Sequence, residues 1–472
     1  MLLFWIIQKE WRELFRSKIL FWLLTISLAL SAFVVWNANK KFTETLQKRT
    51  ESVQHMREKF LAQGAVNPHS AAHFGHFVYK PMNGLSTIDE GVNPFTGITL
   101  RLEAHQQNTP LFSSSQDESS LARFGQLRLS LLLQILLPLF ILFVCHNAIT
   151  KEKEAGTLKL AACQGISLRN LMWGKILAYS FIWWALLVVN FLLVVLIALP
   201  GSNEAFSIER LGSFLLLYGL YYFIITALSV YVSARSSSSN NALLLLLCGW
   251  LLCTVVLPKA TANIGENIAP LITQQQMEKQ INEDNKKGIN GHDPRNERTK
   301  HFEDSVLKKY GVDTSSKLSV NLDGLTMQAD EEYHNSIYDN HWGKVQNIIR
   351  KQNSITAYSS WINPFAGVRN ISMGIAATDV YHHFDFTTQA EIYRRNLIRT
   401  LNNEMAYGGS KTGDWDWSVK ADYWKKINDF RYSYPSIYWS VKNNKAELFA
   451  LLFWLALTVC LIQFNTKKVS VL

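Results

Sequence analysis

Six long apolar runs constrain this chain more than any other feature: Ile19–Trp36, Leu127–Ile149, Ile176–Leu199, Leu211–Val232, Asn241–Leu257 and Ala446–Phe464. A bilayer core about 30 Å thick takes about 20 helical residues to cross, so runs near that length read as transmembrane helices. The fifth is short and follows the fourth across the polar turn Ser233–Asn240; two full spans are expected, with a re-entrant hairpin as the alternative. Although 48% of residues are hydrophobic, the mean hydropathy is only +0.02, because polar stretches long enough to fold alternate with the apolar runs. The expected fold class is mainly α: a polytopic membrane protein with six transmembrane helices, an N-terminal in-plane amphipathic helix and two mixed, mostly helical extracytoplasmic inserts.

Lys and Arg near the span ends set the expected orientation, since short cytoplasmic loops retain positive charge. Lys9, Arg12, Arg16 and Lys18 precede the first run, Lys151, Lys153, Lys159, Arg169 and Lys175 follow the second, Arg235 follows the fourth, and Lys467 and Lys468 end the chain. With six crossings all of these fall on one side, so both termini are expected in the cytoplasm and the inserts Asn37–Gln126 and Pro258–Lys445 outside. The formal charge of +10 is then explained by membrane anchoring, and nucleic acid is not an expected partner. The five cysteines lie in spans or the cytoplasmic loop, so the inserts fold without disulfides. Residues 1–36 do not read as a cleaved signal: the apolar stretch runs on to Val34, Val35 and Trp36 and has a helix of its own before it. In that helix Leu3, Ile7, Trp11, Leu14 and Phe15 mark an apolar face, and Lys9, Glu10, Arg12, Glu13 and Arg16 a polar one. The alternative is that it merely begins the first span.

Within the inserts, Phe42–Gln63 reads as a polar helix and Asn282–Lys300, with Gly288, Asn290, Gly291 and Pro294, as an exposed loop. Thr388 with Glu391 forms a capping box ahead of Tyr393, Leu397 and Leu401, which predicts a helix over Thr388–Asn402. Val92-Asn93-Pro94-Phe95-Thr96-Gly97-Ile98 is echoed by Ile362-Asn363-Pro364-Phe365-Ala366-Gly367-Val368, predicting two equivalent bends that pack the inserts together. His69, His73, His76, His382 and His383, with Glu103 and Asp379 at hand, suggest a metal site. Their spacing matches no recognised metal signature and adjacent His side chains diverge, so packing and hydrogen bonding are the preferred roles, and neither metal nor cofactor is expected. The aromatics from Trp415 to Trp439 are read as local core and membrane interface. Gln134 and Asn190 are polar exceptions inside spans, and Pro138 offers a kink.

The most informative polar stretch is Thr150-Lys151-Glu152-Lys153-Glu154-Ala155-Gly156-Thr157-Leu158-Lys159-Leu160: charges end the second span, Gly156 turns the chain, and Thr157–Gln164 predicts a short helix along the membrane surface. It resembles the E-x-E-x-G-T-L signature of ABC type-2 exporter permeases at Glu152, Glu154, Gly156, Thr157 and Leu158. The resemblance implies that this loop and the N-terminal helix, with Glu10 and Arg12, dock a separate ATPase subunit. His73-Phe74-Gly75, Lys80-Pro81, Leu102-Glu103-Ala104-His105, Asn363-Pro364-Phe365, Ser372-Met373, Ala377-Thr378-Asp379, His382-His383-Phe384 and Ala390-Glu391 to Tyr393-Arg394-Arg395 narrow it to a subgroup with two large extracytoplasmic inserts of unknown function. No Gly-x-x-x-x-Gly-Lys-Ser/Thr run occurs, so the chain is not expected to hydrolyse ATP itself.

The resemblance thus implies a bacterial plasma-membrane permease of the exporter type working with two ATPase copies and a second permease, identical or similar, to move a substrate that the sequence does not identify. The rival reading is a mechanotransmission or anchoring complex in which ATPase work reshapes the outer inserts to act on an extracytoplasmic protein. The expected organisation is residues 1–36 (in-plane helix and first span), 37–126 (first insert), 127–257 (spans two to five with the coupling loop 150–174), 258–445 (second extracytoplasmic domain) and 446–472 (sixth span and tail).

Overall fold

The computed structural model describes residues 2–81, 83–108, 127–198, 208–289 and 291–464. Leu199, Asn290, Lys467, Lys468 and residues 109–126 of the first insert lie outside them. Among the described residues six helices are long and apolar enough to cross a membrane: α2 (Lys18–Leu61), α3 (Leu129–Glu154), α5 (Leu168–Ala198), α6 (Ile208–Arg235), α7 (Ser239–Ile268) and α13 (Lys445–Phe464). The fourth and fifth runs are thus two full helices of 28 and 30 residues, and not the halves of a re-entrant hairpin.

Two amphipathic pieces flank them at one end. Helix α1 (Leu2–Arg16) is separated from α2 by Ser17, whose extended backbone breaks the helix, so the N-terminal helix does not merely begin the first span. The short α4 (Thr157–Cys163) follows α3 across Gly156. At the opposite end lies a polar body. Helices α8 (Gln274–Lys287), α9 (Arg295–Tyr310), α10 (Leu322–Ser359) and α12 (Val380–Tyr407) form most of it, together with a small antiparallel sheet. The sheet has strand order β1 (His76–Tyr79), β2 (Thr99–Glu103), β3 (Gln106–Gln107), with His76 opposite Leu102. Helix α2 belongs to both parts, because Phe42–Gln63 continues the first span without a break as far as Leu61. Its Phe60 is fully buried in the polar body with Leu397, Leu401 and Trp424, whose indole donates to the Gly64 carbonyl at 2.7 Å.

Two expected features fall differently. Asp379 caps α12, accepting from the His382 N–H at 2.9 Å, so the helix starts at Val380 and Thr388 lies inside it, bonding back to the Phe384 carbonyl. The earlier Asp wins because its cap releases eight further residues into the helix. The charged stretch Asn282–Lys300 is mostly helical, with the turn confined to the neighbourhood of Gly288–Pro294 between α8 and α9.

Helix α11 (Pro364–Ala376) joins the polar body to the spans. Val368, Ile371 and Ile375 pack into the span core, and the carbonyls at its C-terminus are claimed by neighbours: Arg210 of α6 donates to Gly374 and Ile375, and Asn83 to Ala376. An orphaned helix end buried without partners would be costly.

The same accounting governs two spans. Helix α3 widens into a π turn at Leu132–Leu136, just before Leu137-Pro138, and α7 does so at Leu252–Val256, before Leu257-Pro258. Each proline lacks an N–H, which leaves carbonyls one turn earlier without their helical partner. Side chains from other helices fill the gap. Tyr222 donates to Leu133 O at 3.0 Å, Tyr221 to Gln134 O at 3.4 Å, and Asn363 to Cys253 O at 2.8 Å. A double-mutant cycle tests this account. Tyr222→Phe is expected to cost about 1 kcal/mol in thermal unfolding of the purified chain. In a Pro138→Ala background, which restores an N–H, most of that cost should vanish.

Candidate coupling site

At the end of the second span Glu152, Lys153 and Glu154 do not form one exposed strip; together they latch four other helices. Glu152 Oε1 accepts from Lys9 of α1 at 3.0 Å and from Lys175 of α5 at 3.1 Å. Lys153 reaches the carbonyls of Ala234 and Ser236 at the end of α6. Glu154 holds the start of α7 with both oxygens, accepting from the Ser239 N–H at 2.7 Å and the Ser239 hydroxyl at 2.9 Å. Such a carboxylate at a helix N-terminus meets unpaired N–H groups and the positive end of the dipole. Gly156 then turns the chain in the left-handed region, at φ 72°, which side-chain-bearing residues rarely adopt. Thr157 bonds back to the Glu152 carbonyl, Leu158 is buried, and α4 leaves Lys159, Leu160 and Cys163 exposed.

Helix α1 lies on α5 through a close crossing. A Cβ on Gly174 would come within 2.5 Å of Ile6, and the Trp11 indole donates to the Ala178 carbonyl at 3.0 Å. Beneath this crossing Glu10 turns inward, against its expected place on the polar face. It is 2% exposed, pairs with Lys175 at 2.7 Å and accepts from the Tyr179 hydroxyl at 3.3 Å. The sequence periodicity is shifted by the partner: Lys175 enters α5 as a charge at the edge of a span, and a carboxylate must meet it there. Arg12 remains exposed, as do Leu3 and Phe15. Helix α1 thus shows apolar side chains outward, consistent with an in-plane position in lipid.

A second polar cluster sits where the spans meet the polar body. The Asp89 carboxylate accepts from Ser372 of α11 at 2.6 Å and from Gln134 of α3 at 3.4 Å, and the Tyr218 hydroxyl of α6 lies 2.8 Å from Ser372 Oγ. Burial pushes the Asp89 carboxyl above its usual range, against the hydrogen bonds that favour its charge. Gln134 thereby finds its role as a link between spans and body; Asn190 instead donates to the Leu186 carbonyl of its own helix.

The two Asn-Pro-Phe motifs share only their beginning. Both start helices: Asn363 caps α11 by accepting from the Phe365 N–H at 3.2 Å, and Asn93-Pro94-Phe95-Thr96 makes a single turn that ends at Gly97. Asn93 takes a hydrogen bond from the buried Lys80 ammonium at 2.7 Å, and Phe95 is exposed, whereas Phe365 is buried and Gly367 lies within α11 against Leu451 and Ser360. They are not equivalent bends. The first does reach the second element, since Val92 N–H donates to Thr378 O just past α11.

The histidines separate into different settings. His76 packs on Phe60 and Phe74, and His382 is buried between Asp379 at 2.6 Å and Ser440 at 3.1 Å. His383 is buried, and His69 and His73 lie together on the polar body beside His105.

The buried pair sets the sharpest expectation for this region. Replaced together by apolar residues of similar size, Glu10 and Lys175 should cost little. Lys175→Ala alone, which strands Glu10 beside Glu152, is expected to cost about 3–5 kcal/mol. Comparing the melting temperatures of Lys175→Ala and of the Glu10→Met/Lys175→Met double variant checks both halves.

These features meet two matches to known families. Residues 23–283 match the ABC-2 family transporter protein, and residues 271–433 match a domain of unknown function, DUF3526. No curated protein matches the chain. The first match covers five of the six spans, the latched signature between the second and third, and more than half of the chain. The chain therefore belongs to the ABC-2 family of transporter proteins, as a multi-pass membrane permease.

Proposed function

We propose that the chain is the membrane-spanning subunit of an ATP-driven exporter in the bacterial plasma membrane. Two copies of a separate ATPase subunit bind the end that carries α1 and α4, and this permease pairs with a second, identical or similar. That end is cytoplasmic in this reading, and the polar body lies outside. The observation that carries it is the latching of the signature: Glu152, Lys153 and Glu154 tie α1, α5, α6 and α7 to one short segment. A push on α4 or α1 therefore reaches four helices at once. The exposed Lys159, Leu160 and Cys163 of α4, with the exposed Arg12 of α1, offer the ATPase apolar and basic contacts. Family membership supports an ABC ATPase as the partner. Helix α7, whose apolar window is only 11% buried within the subunit, is the face offered to the second permease.

Work delivered at the cytoplasmic end would tilt the spans and move the outer body, which gates or receives the cargo. One observation favours a second reading, in which nothing crosses and the outer body acts on an extracytoplasmic protein. Helix α2 runs unbroken for 44 residues from the cytoplasmic end into the core of the polar body, a direct mechanical connection between them. Reconstituted vesicles separate the two: cargo-dependent hydrolysis with accumulation supports export, and hydrolysis changed only by an outer protein supports transmission.

Orientation and docking have separate tests. Cys163 should react with a membrane-impermeant maleimide only after cells are permeabilised, and Cys163→Ser should remove that signal; labelling in intact cells would reverse the topology. Leu160→Asp should weaken co-purification with the ATPase by about 10-fold or more, the worth of one buried leucine at an interface. Unchanged co-purification would move the dock elsewhere.

A further inference from the structure

Three histidines that are far apart in sequence come together on the polar body. Asn67 caps the single helical turn Pro68–Ala72 by accepting from the His69 N–H at 2.8 Å, and His73 follows four residues after His69 on the same face. Their Nε2 atoms lie 3.3 Å apart. His105 enters from the turn between β2 and β3. It is carried to the pair by a hydrogen bond from Ala104 N–H to Ala72 O at 3.0 Å, and it holds φ at 61° without being glycine. The ligating nitrogens of the three imidazoles all lie within 4.8 Å of one another.

We propose that His69, His73 and His105 form an open three-imidazole site for a divalent cation of the zinc class. A tetrahedral zinc with nitrogens at about 2.0–2.1 Å has its ligand atoms about 3.3–3.4 Å apart, so the His69–His73 pair already spans one edge of that tetrahedron. His105 is oriented from behind. Its Nδ1 lies 2.8 Å from Glu331 Oε1, its backbone N–H donates to the same oxygen, and Glu331 is buried against Arg394. A carboxylate holding one ring nitrogen leaves Nε2 to face the pair, the support that metal-binding histidines commonly have. The exposed rings of His73 and His105 leave the site open to solution, with a fourth coordination position for water or an exogenous ligand. The sequence pointed to His76 as the neighbour of this pair, but His76 is turned into the aromatic core and takes no part.

The rival is a simple hydrogen bond between two imidazoles, and metal binding distinguishes it. The full chain, purified in detergent and stripped with chelator, is expected to take up one equivalent of zinc at micromolar concentration. With cobalt(II) it should give the intense visible bands of a tetrahedral site. His73→Ala and His105→Ala should each lower zinc affinity by about 10-fold or more. The exposed His55→Ala, on α2, should leave it unchanged, and circular dichroism should show all three variants folded. No stoichiometric zinc, or uptake that persists undiminished in folded His73→Ala and His105→Ala, overturns the proposal.

Discussion

A lysine at the edge of a hydrocarbon layer must have a counter-charge, and in this chain Lys175 has two. Glu10 and Glu152 close on it from different segments. Lys9 of α1 also pairs with Glu152, at 3.0 Å, so α1 and the signature are tied directly as well as through the shared ammonium. Sharing one ammonium makes them interdependent, so that the N-terminal helix, the segment after the second span and the third span form one rigid corner. The net worth of such a pair is small once desolvation is counted, but the cost of disrupting half of it is large. Its role is geometric: it fixes which surfaces remain outside for a partner.

The opposite end of the spans uses neutral and singly charged groups for the same purpose. Pro138 and Pro258 each take an N–H out of a helix, and Tyr222 and Asn363 supply the missing donors. Asn363 serves α11 and α7 together, since its Oδ1 caps the first and its Nδ2 pairs the second. Asp89 gathers Ser372 and Gln134 in the same manner, with Tyr218 alongside. The polar body is therefore bonded to the π-bulged parts of two spans. Such single π turns inside α-helices recur at functional sites.

Much of this architecture is legible in the sequence because its cause is local. Twenty apolar residues in a row have few alternatives to a span, and Gly156 after a charged segment announces its turn. What escaped was settled by distant partners. Glu10 reads as surface until Lys175, 165 positions later, is seen to bury it. Thr388 and Glu391 fit a capping box, yet Asp379 starts the helix first because its cap serves a longer packed face. The Asn-Pro-Phe echo is real as a helix start and fails as a symmetry, since Phe95 is exposed and Phe365 buried by the spans around it. His105 could be joined to His69 and His73 only through the pairing of β1 with β2, which brings Ala104 against Ala72.

At about 1.5 Å per residue, the 44 residues of α2 form a rod of roughly 66 Å, about twice the thickness of the layer it would cross. A rod of that kind pivoting within lipid amplifies angle into distance. Rocking by about 5° around the bilayer centre would sweep its far tip, about 50 Å away, and the Phe60 contacts fastened there, sideways by about 4–4.5 Å, roughly the width of a methyl group. Side chains interlocked at that tip cannot ignore so large a shear; they must either travel with the rod or change partners.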